Sequence, residues 1–246
     1  MSDVDQRLSS SFGTVAAAYA EHRPDYARDA VRWALAPAPG RRVLDLGAGT
    51  GKLTTVLASV GAEVVAVEPD PAMLAELRLP GVRTLAGSAE RIPLPDGSVD
   101  AVLAGHSMHW FDLAVAGPEI ARVLAPGGVL AGLWNVYDDR VGWVASLARV
   151  GGPAAVGARD LLSSWRASTV GLRPPGFSEG EQAEFTHGQV RTAESLVAGL
   201  ATRAGVVVMP ASEREATLAR IRSFLSAMPG EFTLPMRTGV LRLRRA

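Results

Sequence analysis

The chain holds 246 residues, with 25 Lys and Arg balancing 25 Asp and Glu, 48% hydrophobic side chains and no cysteine. That length buries a full core, and the missing thiols exclude a disulfide scaffold, a cysteine zinc site, an iron–sulfur cluster and a thiol nucleophile. The charge balance gives no case for nucleic acid or an anionic membrane as partner. The start, Met1 to Arg7, is polar, and no run of about 18 apolar residues occurs, so a cytoplasmic globular protein is expected.

The first predicted element is a helical stripe of Phe12, Val15, Ala16 and Tyr19, followed by Arg23-Pro24 and a second helical stretch over 27–35. Short β-type runs then recur at 41–46, 62–67, 82–85, 98–104 and 128–134. Runs without polar alternation suit strands covered on both faces, as a parallel sheet requires. Leu53, Val56, Leu57 and Val60 fall at helical spacing between the first two runs, as do Ala72, Leu74 and Leu77 between the next two. The alternation predicts an α/β fold, a doubly wound, mostly parallel sheet with right-handed crossovers. Residues 136–182, with Trp143 and Trp165, form an insertion after the fifth run. Helices are expected over 194–200 and 212–225, and a last strand over 232–245. The closing Arg242, Arg244 and Arg245 are read as a solvated sheet edge.

The strongest local signal is Val43-Leu44-Asp45-Leu46-Gly47-Ala48-Gly49-Thr50-Gly51. Glycines straight after a buried strand let the backbone turn and approach a ligand, and the helix behind them is expected to offer free N–H groups. A dinucleotide fingerprint needs glycine where Lys52 stands; a P-loop needs glycine at Leu46 and a hydroxyl at Leu53. Lys52, the sole lysine, is read as a solvated first-turn residue. Glu68 ends the second run, 21 residues after Gly47, where a carboxylate can accept from both hydroxyls of a ribose.

This set resembles the class I S-adenosylmethionine-dependent methyltransferases. Residues 87–95 are similar to that family's adenine loop, with Ser88 where many relatives carry Asp and Glu90 as the alternative contact. Residues 119–135 are similar to its fifth-strand signature. Phe12, Tyr19, 22–26, 105–112, Trp134-Asn135 and 232–235 resemble, more narrowly, small-molecule enzymes of the trans-aconitate methyltransferase type. The resemblance implies a seven-stranded Rossmann-like sheet in one domain: lid helices at 1–38, a donor-binding core at 39–135, a substrate cap at 136–182, and the remaining sheet at 183–246. It implies S-adenosylmethionine as donor, held by Asp45, Gly47, Ala48, Gly49, Gly51, Glu68, Pro69, Met73, Ser88, Ala89, Glu90 and Gly105, with Tyr19 and Arg23 closing over it. Trp110, Trp134, Asn135 and Trp143 are expected around a small-molecule acceptor.

His106 and His109 are the catalytic candidates, as base or as hydrogen-bonding residues that line the pocket. Methyl transfer is an in-line displacement that asks mainly for alignment, and a carboxylate acceptor needs no base. The four histidines lack a metal-ligand spacing, so no metal is expected. O-methylation of a carboxylate or hydroxyl is the leading expectation, by a monomer or homodimer. N- or C-methylation, and a protein of this fold that binds donor without transfer (a cyclase or scaffold), stay open. A nucleic-acid enzyme is disfavoured, because Gly105-His106-Ser107-Met108 stands where an Asn/Asp-Pro-Pro-aromatic motif is expected.

Overall fold

The computed structural model describes residues 16–157 and 161–246. Two helices, α1 (Ala16–His22) and α2 (Arg28–Leu35), precede the sheet. The alternating core follows as β1 (Arg42–Leu46), α3 (Lys52–Ser59), β2 (Glu63–Glu68), α4 (Pro71–Glu76), β3 (Arg83–Ala86), β4 (Val99–Gly105), α5 (Leu113–Val123) and β5 (Leu124–Tyr137). Then come α6 (Gly142–Ala155), α7 (Leu161–Thr169), β6 (Glu181–Arg191), α8 (Ala193–Ala201), α9 (Ala204–Val207), α10 (Ala211–Leu225) and β7 (Phe232–Arg244). Seven strands lie in the order β3-β2-β1-β4-β5-β7-β6. The first five pair in parallel, while β7 runs antiparallel to both β5 and β6.

Period-two alternation divides each central strand between two cores. Val43, Leu103, Val129 and Leu133 face α2 and α3, where Val31, Leu53 and Leu57 cover them. Leu44, Val102 and Leu130 face the other way, against Ile120 and Val123 of α5 and Leu162 and Trp165 of α7. Both faces are dry, so the runs carry no polar alternation. Truncating Leu103 to Ala would cost about 2–5 kcal/mol.

One strand escapes the residue patterns, and two expectations need correction. The sequence gives no sign of β6, because its stretch is polar and half-exposed; it is an outer strand held by its register to β7, with Phe185 packed beneath Trp33. Because β5 runs on to Tyr137 and β6 begins at Glu181, residues 136, 137, 181 and 182 belong to the sheet and not to the 136–182 insertion. Arg242 is not on a solvated edge. Its strand is interior, its side chain is buried, and its guanidinium lies 3.7 Å over the Trp33 ring and pairs with Glu181 at 2.8 Å.

The insertion after β5 divides in two. Helix α7 covers the sheet, while α6 joins α8, α9 and α10 in a separate apolar cluster of Leu147, Val156, Leu196, Leu200, Val206, Ile221 and Leu225. This helical cap therefore draws on residues from two stretches of chain. Its inner wall is set by a break in α6, where Gly152 takes φ +74° just before Pro153.

Candidate active site

The carboxyl ends of β1, β2, β4 and β5 open into a cavity of about 1610 Å³ beneath the cap, the place where open α/β sheets bind ligands. One end is built on the glycine loop. Gly47 takes φ +71°, and a Cβ there would stand 2.6 Å from that of Ser107, whose hydroxyl donates to Leu46 O at 2.7 Å. Gly49 takes φ +56°. Both line the cavity.

Four N–H groups of the loop, those of residues 47, 48, 49 and 51, are taken up inside the protein. Those of Gly47 and Ala48 donate to Val67 O at 2.8 and 3.1 Å, and that of Gly51 donates to Ala48 O at 2.9 Å. Gly49 N–H donates to Glu68 Oε2 at 2.8 Å, and Asp70 N–H donates to Glu68 Oε1 at 2.9 Å. The loop thus spends most of its amides on the protein itself. It suits a donor that carries an adenosyl group without phosphate, which S-adenosylmethionine does. Glu68 retains a spare lone pair on each oxygen and lines the cavity beside Pro69 and Met73. Burial raises its pKa, and the two backbone N–H donors act against that rise. These residues fit the donor.

Asp45, Ala48 and Gly51 do not line the cavity; they shape the loop from behind. Asp45 is buried, and its Oδ2 accepts from Thr54 Oγ1 at 2.6 Å, tying the end of β1 to α3. Its other oxygen has no partner among the described residues, and burial pushes its pKa up to about 7. Ser88, Ala89 and Glu90, which follow β3 beside β2, line the cavity as well. Glu90 spends Oε1 on the N–H of Asp112 at 3.1 Å. Glu119 and Arg122 of α5 brace this loop through Ile92 and Leu94.

The other end of the cavity gathers residues far apart in sequence. Arg23, Tyr26, Gly105, His106, His109, Trp110, Asn135, Tyr137, Arg203 and Met236 line it. Arg23 donates from Nε to Thr202 Oγ1 at 3.1 Å, so it joins the end of α1 to the cap. Tyr19 belongs to α1, and its side chain, like Phe12 and Val15, lies outside the described residues. His109 is exposed, its ring tilted against that of Trp110 with centroids 4.6 Å apart, and its Nδ1 accepts a long 3.4 Å bond from Trp134 Nε1.

Trp134 and Trp143, expected over the acceptor, are not cavity residues. Trp134 packs on Trp165 at 5.6 Å, and Trp143 meets Phe232 edge-on at 5.5 Å within the cap core. Asn135 does line the cavity, but both ends of its amide are engaged: Nδ2 donates to Asp25 O at 3.0 Å and Oδ1 accepts from Thr238 Oγ1 at 2.6 Å. His106 is unsuited to act as a base. Its Nε2 lone pair already accepts the Asn135 N–H at 2.8 Å, and burial, helped by His109, Arg23 and Arg203, holds its pKa down at about 3.

Several lining residues escaped the sequence reading. Lys52 is not a solvated helix residue: it lines the cavity and pairs with Asp25 at 3.6 Å. Tyr26 is buried against Gly105, where a Cβ would sit 2.6 Å from its hydroxyl. Arg203, at the junction of α8 and α9, places its guanidinium 5.9 Å from the Tyr137 ring centroid. Its isolated charge inside the apolar stretch 196–209 was the one available signal. Among the described residues no cluster of His, Asp or Glu could hold a metal ion, and no helix is long and apolar enough to cross a membrane.

Known proteins agree with this geometry. A family model for the methyltransferase domain matches residues 44–132. The chain is 45% identical over 224 residues to an uncharacterized methyltransferase of Mycobacterium tuberculosis, a match spanning 90% of this chain and 88% of that one. It is 33% identical over 228 residues to one from Schizosaccharomyces pombe, spanning 90% of each. A solved structure from Anaeromyxobacter dehalogenans, described as a candidate type II methyltransferase, aligns with a TM-score of 0.64 at 30% identity over 91% of this chain and 97% of that one. With its sheet order, its glycine loop and its carboxylate at the end of β2, the chain belongs to the class I S-adenosylmethionine-dependent methyltransferases.

Proposed function

We propose that this chain binds S-adenosylmethionine against residues 47–49, 68–73 and 88–90, and O-methylates a small organic acid at its carboxylate. The observation that carries the reading is how charge divides along the cavity. The carboxylates Glu68, Asp70, Glu90 and Asp112 line the end near β2, the loop after β3 and the start of α5. Arg23 and Arg203 lie at the other end, close enough that both act on the His106 ring. Val156, Leu161 and Met236 give that end apolar wall. An anion with an apolar body suits such a chamber, and a nucleic acid does not.

The donor, when bound, supplies an electrophilic methyl group on a sulfonium. Glu68 holds the ribose hydroxyls, and the left-handed glycines let the chain approach without side-chain interference. Arg23 and Arg203 hold the acid, which aligns its oxygen for displacement. A carboxylate is ionised at neutral pH, so no base is required, and the engaged lone pair of His106 is consistent with that. The cap and α1 keep water away from the reacting atoms. The narrower resemblance to acid-methylating enzymes agrees with this acceptor.

Incubation with methyl-labelled donor and a panel of carboxylic acids, phenols and amines tests the reading. Base-labile methyl esters formed from the acids are expected. Methylation of phenols or amines alone would contradict it and move attention to His109 as a base.

A further inference from the structure

His106 differs from its neighbours in ways that a packing role does not need. It takes φ +52° and is the one non-glycine residue in the left-handed region among the described residues. A side chain held there is strained unless its surroundings fix it, and such residues gather at functional sites. Two hydrogen bonds fix this one. Its N–H donates to Leu133 O at 2.9 Å, and its Nε2 accepts the Asn135 N–H at 2.8 Å.

The second bond decides the ring's tautomer. A backbone amide can only donate, so Nε2 carries no hydrogen and the neutral ring carries it on Nδ1. That Nδ1–H has no partner among the described residues, although the ring lines the cavity. The charged and titratable groups around it are Arg23, Arg203 and His109, with the Tyr26 ring 6.2 Å away. All three named cationic or basic groups disfavour a second proton on the ring. Asn135 is bound in turn to Asp25 and Thr238, so the partner of Nε2 is itself held in place.

We infer that His106 is an acceptor-binding residue that donates a fixed hydrogen bond from Nδ1–H to the acceptor's anionic oxygen, with Asn135 as its positioning residue. The inference rests on the reading of this end of the cavity as the acceptor site. It gives the acid a third point of attachment beside Arg23 and Arg203. The donor cannot switch off, because the ring neither changes tautomer nor gains charge in the working pH range.

The test uses the full-length protein, labelled with ¹⁵N at histidine and loaded with S-adenosylhomocysteine, with octanoate as the probe acid. Ring-nitrogen correlation spectra should show His106 as the Nδ1–H tautomer, unchanged from about pH 5 to pH 8, the range where an ordinary imidazole titrates. Octanoate should shift the Nδ1–H resonance. His106→Asn keeps a donor near the Nδ1 position and tolerates the left-handed backbone, so it should bind octanoate within about threefold of the parent. His106→Gln reaches the Nε2 position instead and should bind about tenfold more weakly, the worth of one lost hydrogen bond. An Nε2–H tautomer, a ring that titrates in this range, an unmoved Nδ1–H on adding octanoate, or equal binding by the two variants would each overturn the inference. S-adenosylhomocysteine affinity, measured on the same samples, reports separately on the donor reading.

Discussion

The two ends of the cavity are made in different ways. The donor end comes from a few contiguous stretches, and its key bonds run between the glycine loop and the adjacent strand: Gly47, Ala48 and Gly49 donate to Val67 and Glu68. The acceptor end draws Arg23 from the strap after α1, His106 from the end of β4, Asn135 from β5 and Arg203 from the cap. Backbone shape dominates the first, and side-chain charge the second. A site made from local backbone geometry is rigid and tolerates little change. One made from long side chains on separate elements can alter its chemistry while the donor site stays intact.

The largest break is expected at the glycine loop. Gly47→Val places a branched side chain at φ +71°, with its Cβ 2.6 Å from that of the buried Ser107. The strain alone is about 1–3 kcal/mol, and the loop must shift as well. Calorimetry with S-adenosylhomocysteine should show no binding even at millimolar ligand, while circular dichroism keeps the native helix and strand signal. Normal binding would mean that the donor does not lie against residues 47–49.

A smaller loss is expected from Glu68→Ala. It removes the acceptor for the ribose hydroxyls and for the N–H groups of Gly49 and Asp70. The loss of bonding to a charged acceptor is worth about 1.5–3 kcal/mol in all, so donor affinity should fall by roughly ten- to a hundredfold. Unchanged affinity would show that another group holds the ribose.

Asp45→Asn should affect donor binding least, because that side chain sits behind the loop and not in the cavity. Its effect is expected in stability. The Asp45 pKa is raised to about 7, with burial the largest cause. An unfolded chain ionises this group near pH 4, so between about pH 4 and pH 7 the unfolded state releases a proton that the folded state keeps. The group's contribution therefore turns against folding as pH rises through that window and levels off above it, with a limiting slope of about 1.4 kcal/mol per pH unit. Urea midpoints should show the variant gaining on the parent across the window. A gain that does not change with pH would contradict the burial assignment.

The same contrast explains what the sequence made legible. The doubly wound core was readable because strands covered on both faces leave apolar runs without polar alternation, as at 64–67 and 101–104. The donor residues were readable because three glycines and a carboxylate at fixed spacing have few other uses. Strand β6 was not readable, since its stability comes from its register with β7 rather than from apolar side chains of its own. The direction of the loop amides was hidden too, because it depends on how β1 sits beside β2. Lys52 and Arg203 look like surface charges in a one-dimensional reading. Only the arrival of Asp25 over α3, and of α9 over Tyr137, brings them into the cavity. Trp134 and Trp143 show the opposite error: aromatic residues near an expected site serve as core here.

Arg203→Gln tests the division between the two ends most directly. Donor affinity by calorimetry, and KM for the best acid in the panel, should be measured on the same preparation. Donor affinity is expected to stay within about twofold, while KM for the acid rises at least tenfold, as for a charge-assisted bond of about 1.5–3 kcal/mol. A fall in donor affinity with KM unchanged would contradict the account, because Arg203 would then belong to the donor end.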